Sequence, residues 1–496
     1  MSVDFEYDTE IMDDFDDHIQ SHIEKSIANE KDSKINEIWN KIFSTKDHYE
    51  IIELCGQLAF LSPDNFMVDI KKAQAYGELK QNSKSEEIFK SVIKKTNGDL
   101  VEPHLFFGLF LERTEKFQEA INCYDKVTEL DGNESHVWFH KGLAWNNLHK
   151  YQDAIDCFDK AAELGESGEW QLWDSKSYSL YELDRHQDAL DCIDKAIEMG
   201  GADDVQVIHH KGIVLSNLHK HQDALDCIDK AIEMGGAGEW QLWDSKGLAL
   251  SNLGKHQDAL DCFDKAAALG GSQDKMLEHR GVELSNLGKD QDAIDCFDKA
   301  LDLEQKSQRE AEICVNKGIA LGRLGKHQDA IDCFDKGIEL GLTDNPILWG
   351  SKGYALFCLG KHQDAIDCFD KAIELDGKDQ YLLVNKTYAL SKLGKHEEAL
   401  DFIDKAVETW NELADNFLNI KGIVLFELGK YDDAIDCFDK GIELDGKEPT
   451  YWSNKGEVLG VLGKYSDAIE CYKKSLSIEE NDQIRKELDV LSKLFS

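Results

Sequence analysis

Ten of the thirteen cysteines fall at one register of a recurring segment: Cys123, Cys157, Cys192, Cys227, Cys262, Cys296, Cys333, Cys368, Cys437 and Cys471. Thiolates in such a series could hold zinc or exchange disulfides, but either chemistry needs its ligands to converge. Successive thiols here are a whole segment apart, and His186 and Cys192 are six residues apart, about 120° around a helix. Each recurring cysteine stands in an apolar stripe, beside a Phe or Ile in most copies, so the position reads as small core filler. His186, His221, His256, His327, His362 and His396 recur in the same manner at the start of a segment and belong to its architecture. A third series, Lys141, Lys176, Lys211, Lys246, Arg280, Lys317, Lys352, Lys386, Lys421 and Lys455, could suggest phosphate binding. We expect each of these cations to lay its stem on a buried seam and meet an acid of a neighbouring helix. Asp156, Asp159 and Glu163 share one helix face, which reads as a solvated exterior because calcium needs a loop to converge its ligands. Asp156 and Lys160 are spaced for an i,i+4 ion pair worth about 0.3–0.5 kcal/mol. No phosphate-binding or dinucleotide-binding glycine loop and no Ser/His/Asp set emerges from the spacing. Neither an enzyme nor a cofactor or metal is expected.

The balance of charge narrows the partners. The chain has 496 residues with 98 Asp and Glu against 56 Lys and Arg, a formal charge of −42. A field of that sign repels phosphate backbones, so nucleic acid is excluded as an expected partner and an RNA-binding repeat is disfavoured. No apolar run approaches the roughly 20 residues that span a bilayer, so membrane insertion is not expected. A cytoplasmic location follows, with reduced thiols. Four prolines and 31% charged residues point to nearly uninterrupted helix.

The segments that carry these residues repeat about every 35 positions. Ala73, Gly108, Gly142, Ser177, Gly212, Gly247, Gly281, Gly318, Gly353, Thr387, Gly422 and Gly456 are equivalent small positions, followed by strings such as Lys-His-Gln-Asp-Ala at Lys220, Lys255, Lys326 and Lys361. Each unit reads as two helices, for example Trp138 to Leu148 and Asp153 to Leu164, closed by glycine in a left-handed cap. Trp138, Gly142, Trp145, Tyr151, Ala154, Phe158 and Ala161 resemble, in order, the signature of the tetratricopeptide repeat. The Asn-Lys-Gly and Gly-Lys-Tyr strings are similar to those of archaeal arrays. The resemblance implies an all-α solenoid of about 12 helix-turn-helix repeats wound as a right-handed superhelix, with capping helices at both ends. Ser177 and Thr387 depart from the family's glycine and are expected to loosen packing locally.

The organisation expected is an acidic, disordered tail at 1–33, with eight acids and no Lys or Arg in its first 17 residues. N-terminal capping helices follow at 34–65, then a degenerate repeat at 66–99. Repeats of a first half occupy 100–303. The surplus spacing between Gly281 and Gly318, 37 residues, is read as a hinge at 304–310. A second half at 311–478 and a capping helix at 479–496 complete the chain. About 65 N-terminal and 18 C-terminal residues outside the repeats are too few for a catalytic domain.

Set on a helical wheel, the flank of the first helix opposite the cation ladder should line the groove that such a superhelix turns inward. In the first half this groove carries Asn147, Asp174, Tyr178, Glu182, Ile213, Asn217, Asp244, Leu248, Asn252, Glu278 and Asn286. Its amides and acids suit a basic extended peptide. In the second half the same positions are Ile319, Ile347, Tyr354, Phe357, Tyr381, Val384, Tyr388, Ile423 and Phe426, a wall for an apolar segment or an amphipathic helix. No Lys or Arg stands three before the small position from Gly142 onward, so the cationic clamp of chaperone-tail binders in this family is absent. The function expected is a non-catalytic protein interaction scaffold. The alternative is a regulatory or targeting subunit acting through its acidic outer face; metal, thiol or RNA binding stands behind both. The sequence leaves the partner and the oligomeric state open.

Overall fold

In most helix pairs a glycine and an aromatic ring set the geometry. In the pair Ser135–Asn147 and Tyr151–Glu163, a Cβ on Gly142 would lie 2.5 Å from Phe158 Cε1. Gly281 meets Phe297 at the same distance in the pair Gln273–Asn286 and Asp290–Leu303. Hydrogen in place of a methyl is what lets the ring of the second helix press against the backbone of the first. Sixteen residues after Ser177 and Thr387 stand Ile193 and Ile403 in place of the ring, whereas Ala73 keeps one, Phe89. Ser177 is 2% exposed and Thr387 fully buried, each in the place of the glycine.

The computed structural model describes residues 33–130, 134–165, 170–303, 308–376, 379–409 and 417–495. Among them are twenty-seven α-helices and no strand. From Phe66 to Ile478 the helices alternate as twelve hairpins, preceded by Ser33–Ser44 and His48–Leu61 and followed by Asp482–Phe495. This is the α-solenoid architecture of stacked repeats. Residues 1–32 of the expected tail lie outside the described residues, while Ser33 opens a helix. Residues 304–307 of the expected hinge are also outside them, and 308–310 begin the helix Gln308–Arg323. No described helix is long and apolar enough to cross a membrane.

The chain divides into two compact units, Met1–Ala237 and Gly238–Ser496. In the first, Trp39, Phe89, Phe107, Phe110 and Tyr124 build one core and Phe139, Phe158, Trp173 and Ile193 another. In the second, one core runs from Leu260 to Val458 through Phe297, Phe334, Phe369 and Phe438. Its last hairpin is closed by Ile484, Leu488 and Leu491, which pack against Leu459 and Tyr472.

The turn inside each hairpin needs a left-handed residue. Gly254 fills it with φ 72°, whereas His149, Asp184 and His219 adopt it at 56–58° despite their side chains. The outer side is wired by the cation ladder, as the spacing leads one to expect. Lys141 meets Asp125 at 2.6 Å, Lys211 meets Asp194 at 2.6 Å, and Lys421 meets Asp404 at 2.6 Å. Each pair joins one repeat to the second helix of the repeat before it. With acids about half exposed, each contributes less than about 1 kcal/mol. The expected Asp156–Lys160 pair is not formed. Asp156 accepts from Gln152 at 2.9 Å and Lys160 turns to Glu163 at 2.8 Å. At the position equivalent to Lys160, Lys195 and Lys265 lie 3.5 Å above the ring centres of Trp173 and Trp243 in cation–π contact, whereas Lys405 forms the i,i+4 pair, with Asp401 at 2.7 Å.

Candidate functional site

All thirteen cysteines are thiols, and most of the recurring ten are buried. Burial pushes the Cys157 thiol up to about 12, and the same cause raises Cys123, Cys192 and Cys368. Thiols held in that state are poor nucleophiles and poor ligands at neutral pH. Among the described residues, no group of three or more His, Cys, Asp or Glu is placed to hold a metal ion.

The first helices of each unit present the flank on which the candidate residues were placed, and the structure sorts those residues into three sets. One set is consumed within the fold. Asp174, 9% exposed, accepts from His210 Nδ1 at 2.9 Å. Asp244, 2% exposed, accepts from Lys275 Nζ at 2.6 Å and from His279 Nδ1 at 2.9 Å. Burial pushes the Asp244 carboxyl up, but His279 and Lys275 outweigh it and hold it below the usual carboxylate range. Glu278 takes a 3.1 Å bond from Arg309, which also reaches Asp274 at 2.6 Å. Ile213 is buried at 8%. The three carboxylates thus join successive first helices, and Ile213 lies in the core. The partner histidine or lysine comes from the following repeat, which the wheel of a single helix cannot show.

A second set is half-buried. Asn147 donates to Leu143 O at 3.0 Å, and Tyr178 meets Tyr151 edge to face at 6.0 Å. Glu182 is half-buried near Tyr151, and Leu248 is half-buried in the second unit. Ile319, Phe357, Val384, Tyr388, Ile423 and Phe426 pack against the core of the second unit with part of each side chain left accessible.

The third set is open. Asn217 is exposed although it donates to Ile213 O at 3.1 Å and to Tyr181 Oη at 3.2 Å, while Asn252 and Asn286 are exposed on the second unit. Ile347 is 62% exposed, Tyr381 54% and Tyr354 39%. They lie on neighbouring first helices, Pro346–Cys358 and Gln380–Lys392, and the rings of Tyr354 and Tyr381 are 6.2 Å apart. Cys358, exposed and five positions after Gly353, adjoins Tyr354 and raises its phenol. It occupies the register that elsewhere holds Asn217, Asn252 and Asn286, a signal available to sequence reading but overlooked there.

A further polar knot was not foreseen. Glu283, 2% exposed, accepts from Ser251 Oγ at 2.5 Å and from His256 Nδ1 at 2.8 Å. The equivalent register holds Ala or Val in most repeats, such as Ala144, Val214, Ala249, Ala320 and Ala355, and Ser179 in one, so an acid there is the departure that marks it.

Comparison with family models agrees with this architecture. Family models described as "Tetratricopeptide repeat" match residues 346–379, 416–447 and 449–482, residues 108–169, and residues 311–340. No curated protein matches the sequence. Among solved structures, the APC/C hetero-tetramer Cut9–Hcn1 is 15% identical, covers 95% of this chain and 98% of its own, and superposes with a TM-score of 0.43. A tetratricopeptide repeat protein from Parabacteroides merdae is 17% identical over 51% of this chain and 98% of its own, with a TM-score of 0.42. YrrB, described as having an unusual peptide-binding site, is 23% identical over 37% of this chain and 92% of its own, with a TM-score of 0.32.

Proposed function

The chain belongs to the tetratricopeptide-repeat proteins, and from that premise we propose that it is a non-catalytic scaffold capturing an apolar or amphipathic segment of a partner protein. Repeats of this kind form protein interaction scaffolds. The observation that carries the finer reading is the exposed trio Ile347, Tyr354 and Tyr381 on two adjacent first helices. Folding does not need these side chains where they stand, since the buried faces of the same helices are already filled by Leu348, Trp349, Leu382 and Leu383. Tyr presents area to a partner at low entropic cost and keeps a hydroxyl for a backbone group. The half-buried Phe357, Val384 and Tyr388 supply the floor. Exposed Asn252 and Asn286 offer amides to a backbone passing over the earlier repeats of the same unit. A basic peptide held by Asp174, Asp244 and Glu278 is not part of this reading, because those carboxylates are already engaged. A cytoplasmic setting goes with it, consistent with thirteen cysteines left as thiols.

The test is affinity capture from the source cell, followed by calorimetry with a synthetic segment of the captured partner. Tyr354→Ala with Tyr381→Ala should weaken binding by about ten- to a hundredfold, equally at low and high salt. Undiminished binding by that variant would move the interface to the acidic outer face, the territory of a regulatory or targeting subunit.

A further inference from the structure

The last hairpin, Pro449–Val461 and Tyr465–Ile478, and the closing helix Asp482–Phe495 flank an open cavity of about 470 Å³. Its walls are apolar: Val461 and Val490 line it while remaining 57% and 55% exposed, and Leu491 lies beside them. Its floor is acidic. Glu457 and Glu487 both line it, and Glu487 accepts from Gln483 Nε2 at 3.0 Å and from the hydroxyl of the buried Tyr472.

Glu457 is out of pattern. It stands one position after Gly456, where the repeats from Gly142 to Gly422 place Leu143, Tyr178, Ile213, Leu248, Val282, Ile319, Tyr354, Tyr388 and Ile423. Burial pushes its carboxyl up, and Glu487 and Glu427 push it further. Lys486 lies on the lining, yet it does not bring Glu457 back to an ordinary carboxylate. Glu457 is exposed and Glu487 half-buried; like charges gathered at one cavity repel, and a cation arriving from outside relieves that repulsion. A hydrated metal ion suits apolar walls poorly, and these carboxylates do not form a group that could hold one. An alkyl stem ending in an ammonium meets both requirements, since the stem lies on apolar surface and the head pairs with carboxylate.

We propose that this cavity binds the side chain of a lysine carried by a captured partner segment, its stem between Val461 and Val490 and its ammonium against Glu457 and Glu487. The proposal rests on the reading of the chain as a segment-binding scaffold but uses a surface apart from Tyr354 and Tyr381.

The probe is Nα-acetyl-lysine methylamide, titrated into the full chain with labelled Val and Leu methyl groups. The expected result is a saturable shift of the Val461, Val490 and Leu491 signals in the millimolar range. Nα-acetyl-norleucine methylamide, which has the same stem without the charge, should give no saturable shift. In Glu457→Gln with Glu487→Gln the lysine probe should bind at least about tenfold more weakly. Equal responses to the two probes, or no saturable shift up to about 50 mM lysine probe, would overturn the proposal on the unaltered protein alone. Tyr354→Ala with Tyr381→Ala should leave these shifts unchanged, so the two readings fail separately.

Discussion

At the scale of single residues, the array treats chemically active side chains as packing material. A cysteine beside the buried ring of a second helix is held neutral by desolvation, and a histidine two before the small position becomes a donor to a buried acid in the repeat before. Reactivity is then a matter of which copy escapes its context. Cys358 does: it is the exposed member of the thirteen, on the first-helix flank beside Tyr354. We predict that a maleimide at neutral pH labels Cys358 well before the other thiols, read by peptide mass spectrometry over time. Labelling of Cys157 or Cys368 at a comparable rate would mean that the second helices open readily. Because Cys358 adjoins Tyr354, the adduct should also impair segment capture.

At the scale of elements, hairpins are alike in apolar pattern and unlike in the polar contacts that join one first helix to the next. Ser179 donates to Asn146 at 2.7 Å at one joint, His210 to Asp174 at 2.9 Å at the following one, and Asn454 to Asn419 at 2.8 Å near the end of the array. Unlike pairs in near-identical helices favour correct neighbours, since a wrong neighbour leaves a buried polar group unsatisfied. Such joints also depend on pH. Asp244 sits below the usual carboxylate range in the fold, so its contribution is full above the unfolded value of about 3.9 and is lost as pH falls through the lower folded value. Asp244→Asn should therefore cost about 1–3 kcal/mol at pH 7, with the gap to the unaltered protein narrowing below about pH 4. Urea unfolding at both pH values measures it. A gap that stays constant with pH would show that the carboxylate's charge plays no part.

These joints also mark how far sequence reading reaches. The repeat, its two helices and the small position are legible because period, glycine and ring recur together. The cation ladder is legible because its azimuth beside the seam leaves it one kind of partner, and Asp125 and Asp194 stand there. The pairing of Asp174 and Asp244 within the fold is not legible, for a physical reason. A helical wheel gives the direction of a side chain, while its burial depends on how closely the next first helix passes, and His210 and Lys275 belong to that next helix. Only the structure separates the exposed Ile347, Tyr354 and Tyr381 from Tyr388 and Phe426, which lie against the core.

At the scale of the whole molecule, stability in such an array is a sum of local terms. A repeat touches its neighbours and little else, so a defect in one hairpin should spread by a repeat or two and then fade. Gly318 is a suitable probe, because a Cβ there would lie 2.7 Å from Phe334 Cε1 in the pair Gln308–Arg323 and His327–Glu339. Gly318→Ala forces that ring or its helix to shift, at about 1–3 kcal/mol. Hydrogen exchange should then quicken across 308–339 and, less strongly, across the adjoining hairpins 273–303 and 346–375. Protection in the hairpin 449–478 and throughout the described residues of the unit ending at Ala237 should stay as it was. A uniform loss of protection along the chain would mean that the array unfolds as one cooperative block, and that the unlike polar joints couple all repeats instead of matching neighbouring pairs.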